Sequence, residues 1–504
     1  MSTPLLNVGI IVDGVEVPAW IAELLKSIEK GPAARIVHVE NAQSISCAEG
    51  QINRLYQRID RSLFPVGEDA LLQVPLPMPL IPSPHANESV DVVIHLSRVS
   101  PTETNAPLGT WFFQPDLLRD TACLNAAAED ATVATARLFA FYKGDAFCID
   151  QTHTALHTYS VGRSNQRLYW TAHNFIPRRL EALQAHGADA FYRRHGHCAE
   201  PSAYTPAKRR PFSPFQLLKR TLHSGLSDWW QSTEWHVYFG IHNETDLPPS
   251  FDHFTPLESP PGTYWADPFP FVHQGRLFLF FEEYNQHEKK GHIAALPFDQ
   301  RGPSGPPIRV LETAGHLSYP FVFSYCDDLY MLPESSDQAT VDLYRCTHFP
   351  DRWTYDRTLL KGIEAVDTTL CYHEGLWWLF TCIAAHPQSP ARDELFLFYA
   401  NSPLSEEWTP HPLNPVISDV RNARPAGRII QQGECILRPA QDCSKRYGYG
   451  LHLREIETWN TAHYREKTHT SLLPTGARLG LHTLNRQDQW VFVDIKRRKE
   501  KGTP

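Results

Sequence analysis

The feature that most constrains this chain is a hairpin pattern written five times through its C-terminal half. In a common register the units begin at Asp267 (DPFPFVHQGRLFLFFE), Tyr319 (YPFVFSYCDDLYMLPE), Asp367 (DTTLCYHEGLWWLFTC), Pro425 (PAGRIIQQGECILRPA) and Leu479 (LGLHTLNRQDQWVFVD), at intervals of 52, 48, 58 and 54 residues. Each unit has a short apolar strand, a turn residue (Gly, Asp or Gln) eight places on, and a second strand centred on Phe278, Tyr330, Trp378, Ile436 or Trp490. Two strands per unit, with room for two more before the next, predict four-stranded blades, and five units predict an all-β five-bladed propeller. WHVYFGIH (235–242) reads as a strand that closes the ring by pairing into the last blade. The innermost strands of such a ring run along its axis, so their first residues converge, and the carboxylates of Asp267 and Asp367 should meet at one pocket. Paired carboxylates are the minimal equipment for work on a glycosidic bond, one activating the nucleophile while a protonated one serves the leaving oxygen.

The chain has 504 residues, too many for one ordinary core. We divide it into an α/β domain (1–196), a Pro-rich linker (197–234) carrying the basic knot Lys208-Arg209-Arg210, and the propeller (235–504). A net charge of -9 argues against a nucleic acid or an anionic membrane as the main partner, because either needs a basic face. The start, MSTPLLNVGIIVDG, does not read as a secretion signal, and no apolar run is long enough to span a membrane. Ten cysteines lie scattered without CxxC pairs, which suits a reducing compartment. The expectation is a cytoplasmic protein with no metal and no cofactor.

In the N-terminal region LNVGIIV (6–12), ARIVHVE (34–40) and VDVVIHL (90–96) read as buried strands. Trp20, Ile21, Leu24, Leu25 and Ile28 recur at helical spacing before Gly31-Pro32. Strands alternating with helices predict a parallel, three-layer, Rossmann-like sheet. Val12-Asp13-Gly14-Val15 lacks the GxGxxG phosphate cradle. VDVVIHL, GTWFFQPD (109–116) and RLYWTAHNFIPRRL (167–180) resemble the N-terminal domain of formyltransferases acting on methionyl-tRNA or sugar amines. That resemblance implies an Asn, a His and an Asp that orient the formyl donor and deprotonate the amine. Here Gln114 and Pro115 stand where the histidine would fall, and only Asp116 persists. A glutamine cannot accept the proton, so the expectation is a degenerate, non-formylating domain with Asp116 as a turn or cap residue.

In the propeller, Tyr264-Trp265-Ala266-Asp267-Pro268, Ala365-Val366-Asp367 and the segment Glu407 to Pro415 resemble glycoside hydrolases of family 43. The resemblance implies that Asp267 is the general base and Asp367 the second aspartate that tunes and orients the acid. No glutamate begins a later unit, so Glu334 of LPESSD stands in as the acid, ahead of Asp442 and Glu364. Over about 230–500 the strings YWADPF, FFEEY, KKGHI, LPESS, VDTTL, SDVRNARPAGR and RPAQDCSKRYG are similar to the propeller that forms the N-terminal part of glucosamine inositolphosphorylceramide transferases. They are also similar to bacterial proteins joining that propeller to a formyltransferase-like domain. The transferase of the family name belongs to another domain of the plant proteins, without a counterpart here.

Around the acids, Trp265 is the expected sugar platform, and His292 and Asp442 are expected contacts. Arg421, Arg424, Arg428 and Arg438 form either an ion-pair network or a clamp for an anionic or nucleotide-linked sugar. Glu282 and Glu283 should face opposite ways, as strand neighbours do. Two readings follow. One is an enzyme that makes or breaks a glycosidic bond, with biosynthetic transfer to a glycan or glycolipid preferred to hydrolysis. The other is a non-catalytic carbohydrate-binding scaffold.

Overall fold

A computed structural model describes residues 4–42, 51–80, 89–195, 233–242, 251–335, 338–384, 386–389 and 391–499. Nearly all of the expected linker, with its basic knot, lies outside the described residues. The chain divides into two compact units, one of residues 1–225 with 385–390, the other of 226–384 with 391–504.

The first unit holds a six-stranded sheet. Ala34–Asn41, Leu6–Val12, Val92–His95 and Thr110–Phe113 run parallel, in that order across the sheet. The expected all-parallel sheet needs correction at one edge, where Val133–Tyr142 and Asp145–Ala155 add as an antiparallel hairpin. The cause is local: Lys143 and Gly144 sit at φ 52° and 83°, the left-handed pair of a two-residue hairpin turn. The helix Ala19–Lys30 buries Trp20, Ile21, Leu24, Leu25 and Ile28, as its spacing predicts. Asp116 lies in the first turn of the short helix Pro115–Leu118, where burial raises its pKa.

The second unit is a five-bladed propeller. Blades one to four begin with the strands Thr263–His273, Ser318–Tyr325, Ala365–His373 and Ile430–Gln432. Blade five begins with Gly480–Gln487, continues with Trp490–Arg498, and is completed by Thr233–Ile241 from the start of the unit. That pairing joins the start of the unit to its end and so closes the ring. Two-residue turns with left-handed backbone at Gln274-Gly275, Cys326-Asp327 and Glu374-Gly375 set the hairpins of blades one to three.

A bulge recurs near the start of the innermost strands. Pairing shifts between Ala266 and Phe269, Ser318 and Phe321, Val366 and Thr369, and Leu481 and Leu484. Its first residue in blades one to three, Asp267, Tyr319 and Asp367, has φ of 51°, 47° and 51°. Three non-glycine residues in left-handed backbone at equivalent places mark a site where the fold holds its chain under constraint. Blade five departs from the expected register. Its turn falls at Asp488-Gln489, two residues later than the repeat suggests, so His482 and Thr483 occupy the bulge and Leu479 precedes the strand.

Candidate functional site

The bulges bring side chains from separate blades into one hydrogen-bonded system. Asp267 is 2 % exposed. Its Oδ1 accepts from Thr483 Oγ1 at 2.6 Å and lies 3.3 Å from His482 Nδ1, while its Oδ2 accepts from the Tyr319 amide at 3.2 Å. Burial, joined by the fields of Asp494 and Asp367, pushes Asp267 up to about 6 against the pull of His482. Asp494, wholly buried, accepts from the amides of Asp267, His482 and Thr483 and from His482 Nδ1 at 2.8 Å. Burial alone would depress His482, but Asp494 and Asp267 override it and lift the imidazole to about 9. Asp267, His482 and Asp494 each offer an atom within 4.8 Å of the others, a spacing that the Nδ1 proton of His482 already bridges.

Asp367 is equally buried and is gripped by Arg424, whose Nε and Nη2 donate to its two oxygens at 2.5 and 3.1 Å. Gln441 Nε2 adds a donor at 2.8 Å. Burial pushes Asp367 up to about 7 despite Arg424, with Glu334 adding to the rise. Glu334 Oε2 accepts from the Asp367 amide at 3.3 Å and lies 3.6 Å from Arg424 Nη2. Asp367 and Glu334 thus meet around Arg424, and Asp267, held by blade five and the Tyr319 amide, lies within the field of Asp367.

The acid that the sequence reading passed over is Glu282. It closes the first hairpin as Glu334 closes the second, each fifteen positions beyond its bulge residue, and it pairs with Ala266 as Glu334 pairs with Ser318. Glu282 is 6 % exposed and holds its proton well above the usual carboxylate range, because burial is reinforced by the charges of Asp267 and Glu334. His316 Nε2 lies 3.5 Å from Glu282 Oε1. Glu283 faces the other way, accepting from Trp265 Nε1 at 2.8 Å with His292 Nε2 at 3.2 Å.

Several expected contacts are corrected. Trp265 is a core residue packed on Phe281, so it cannot serve as a sugar platform. Its neighbour Tyr264 instead stacks on Tyr284 with ring centres 4.7 Å apart, and its phenol feels Glu282 and Asp267. His292 is buried in blade one against Glu283. Asp442 accepts from the Ser444 amide and lies near His452 in blade four. Arg438 is 1 % exposed and forks onto the fully buried Glu466 at 2.9 and 2.8 Å, so its charge is already balanced. Arg421 pairs with Asp419. Arg428 lies over Phe321 and donates to the Val322 carbonyl. The anion clamp expected of the arginines is therefore mostly consumed within the fold.

With this geometry in place, the propeller finds its relatives. Residues 256–480 match the family model described as glucosamine inositolphosphorylceramide transferase 1, N-terminal. A glucosamine inositolphosphorylceramide transferase 1 from Arabidopsis thaliana is 35% identical over 209 residues, covering 41% of this chain and 27% of the relative. The protein of that name from Oryza sativa subsp. japonica is 36% identical over 216 residues, 42% of this chain and 29% of its own. The chain thus spans little more than a quarter of these relatives. Among solved structures, the catalytic domain of a Coprinopsis cinerea GH62 α-L-arabinofuranosidase is similar with a TM-score of 0.35 at 13% identity, over 46% of this chain and 90% of that one. A family 117 glycoside hydrolase from Zobellia galactanivorans is similar with a TM-score of 0.34 at 10% identity, over 52% and 90%.

Proposed function

We propose that the propeller axis is a carbohydrate-active site that makes or breaks a bond to an anomeric carbon, with transfer to a glycan or glycolipid acceptor preferred to hydrolysis. The observation that carries this reading is a group of buried acids, Asp267 and Glu282 of blade one and Asp367 of blade three, whose surroundings have driven their roles apart. Asp267 is the base. Thr483 and the Tyr319 amide each donate to one of its oxygens, which leaves it acceptor capacity for the proton of an incoming hydroxyl, with His482 3.3 Å away. Glu282, which keeps its proton, is the acid that serves the departing oxygen. Glu334 and Arg424 hold Asp367 in place and set the local field. In one turnover the acceptor oxygen bonds to the anomeric carbon as its proton passes to Asp267, and the leaving oxygen departs with the proton of Glu282.

The preference for transfer draws support from the first residues of the later units, Tyr319, Asp367, Pro425 and Leu479, none of which is the glutamate that the family 43 resemblance implies for the acid of a hydrolase. The reducing, cytosolic setting expected from the scattered cysteines is part of this reading, and no disulfide joins any two of the eight described cysteines. The test is a panel of nucleotide sugars and 4-nitrophenyl glycosides offered to wild type and Asp267→Asn. Removing the base should lower turnover roughly 10²- to 10⁴-fold. Equal activity of the two proteins eliminates Asp267 as the base. Sugar binding without turnover by either favours the scaffold reading instead.

A further inference from the structure

Tyr447 belongs to no repeat strand. It sits in the loop between Cys435–Asp442 and Gly450–Trp459 of blade four, yet its hydroxyl reaches blade five, where it meets Nε2 of His482. Gly448 makes this reach possible: its φ is +61°, and a Cβ there would stand 2.6 Å from the Trp235 ring. The Gly448 carbonyl accepts from the Leu481 amide at 3.0 Å, tying the loop to the start of the innermost strand. On its other side the Tyr447 oxygen accepts from Arg424 Nη2 at 3.4 Å, with the guanidinium 4.9 Å from the ring centre.

The polarity of this chain of hydrogen bonds follows from its buried end. Asp494 takes three amide protons and the Nδ1 proton of His482, so it is an ionised acceptor with nothing to donate. His482 therefore carries hydrogen on Nδ1 and faces two buried carboxylates, Asp494 at 2.8 Å and Asp267 at 3.3 Å, which favour the imidazolium. The other groups around it are Tyr447, the ring of Trp235 at 4.8 Å with Lys496 over that ring, and the field of Asp367. An imidazolium donates from Nε2 as well, so the Tyr447 oxygen receives one proton from His482 and one from Arg424. A phenol oxygen has two acceptor positions, and both are then filled. No described acceptor takes the phenolic proton itself.

We propose that Tyr447 is a substrate-contacting hydrogen-bond donor of this site, its proton turned outward to an oxygen of the sugar because His482 and Arg424 occupy its own. The assignment rests on the carbohydrate reading above and adds to it a residue that neither the repeat nor the acids reveal. Burial keeps the phenol protonated, so Tyr447 acts as a donor and not as a nucleophile. Deprotonating His482 reverses the bond: the phenol then donates to Nε2 and is lost to the substrate.

Two measurements test this on the full chain. Tyr447→Phe keeps the ring and removes only the hydroxyl. On whichever member of the glycoside and nucleotide-sugar panel the wild type turns over, kcat/KM should fall roughly 10- to 100-fold. An unchanged kcat/KM overturns the proposal. The second reading is the ¹⁵N chemical shifts of His482 at pH 7.5, assigned with His482→Gln. Both nitrogens protonated is the expected result, and an unprotonated Nε2 accepting from Tyr447 overturns the proposal whether or not any substrate is found. A wild type inert to the whole panel counts against the carbohydrate reading, while the imidazole shifts still decide the direction of the Tyr447 bond.

Discussion

In the α/β unit several buried ionisable groups, Asp60, Asp150 and His173, are each taken up by one structural contact, a cap, a single ion pair or a backbone carbonyl. Asp60 accepts from Ser160 Oγ and the Gly162 amide, closing the start of the helix Val161–Ala172. Asp150 is held by Arg179 at 2.9 Å. His173 is buried with Nδ1 against the Trp170 carbonyl, and burial lowers it to about 4. Along the propeller axis the pattern is different. Asp267, Asp367, Glu282, Glu334 and His482 come from blades one, two, three and five, and each shifts its neighbours' protons. A fold needs caps and single pairs; mutually shifted charges gathered from several blades are costly for stability, and that cost supports the proposed site.

The contrast can be broken by substitution. Arg424→Met leaves Asp367 and Glu334 buried against each other, and should cost the propeller about 3–5 kcal/mol in denaturant unfolding. Arg179→Met in the α/β unit removes a single pair, and should cost distinctly less. Similar losses from the two would erase the distinction.

The two units should also differ in the sign of their histidine linkage. His482 is raised from 6.5 to about 9, so its contribution to stability is full below pH 6.5 and is lost as pH rises to 9. Asp267, raised from 3.8 to about 6, acts in the same direction, its contribution being lost between pH 4 and 6. His173 is lowered from 6.5 to about 4, so its contribution is full above pH 6.5 and is lost as pH falls toward 4. Between pH 6.5 and 9 the propeller melt should weaken by on the order of 2 kcal/mol, and His482→Gln should flatten that slope. A propeller that gains stability over this range contradicts the assignment. The smallest effect is expected at Asp116, whose carboxyl lies in a short helix of the α/β unit: Asp116→Asn should leave turnover on the sugar panel unchanged.

Much of this was legible in the residues because it is local. Hairpin turns such as Gln274-Gly275 and Glu374-Gly375 recur at one place in the repeat, and the closing strand Thr233–Ile241 is apolar enough to be seen alone. The register of blade five was not, since a repeat aligned on Trp490 conceals a turn displaced to Asp488-Gln489 and so hides His482. Glu282 ends its hairpin at the same offset as Glu334, but the sequence leaves open which of Glu282 and Glu283 turns toward the axis, because the bulge beside them upsets simple alternation. Tyr264 and Trp265 differ only in which face of the strand they take, and the bulge beside them makes simple alternation a poor guide. The hairpin around Lys143-Gly144 carried a turn signal that strand and helix alternation outweighed. Tyr447 had no local mark, because its place depends on a loop meeting a strand of the next blade.

The most direct test of a shared axial site is the ionisation of Asp267, followed by carboxyl ¹³C NMR in wild type and in Asp367→Asn. The wild-type carboxyl should titrate near 6, and removing the charge of Asp367, a hundred residues away in the sequence, should move that titration downward. An Asp267 that titrates identically in both proteins would mean that the two acids do not share a site.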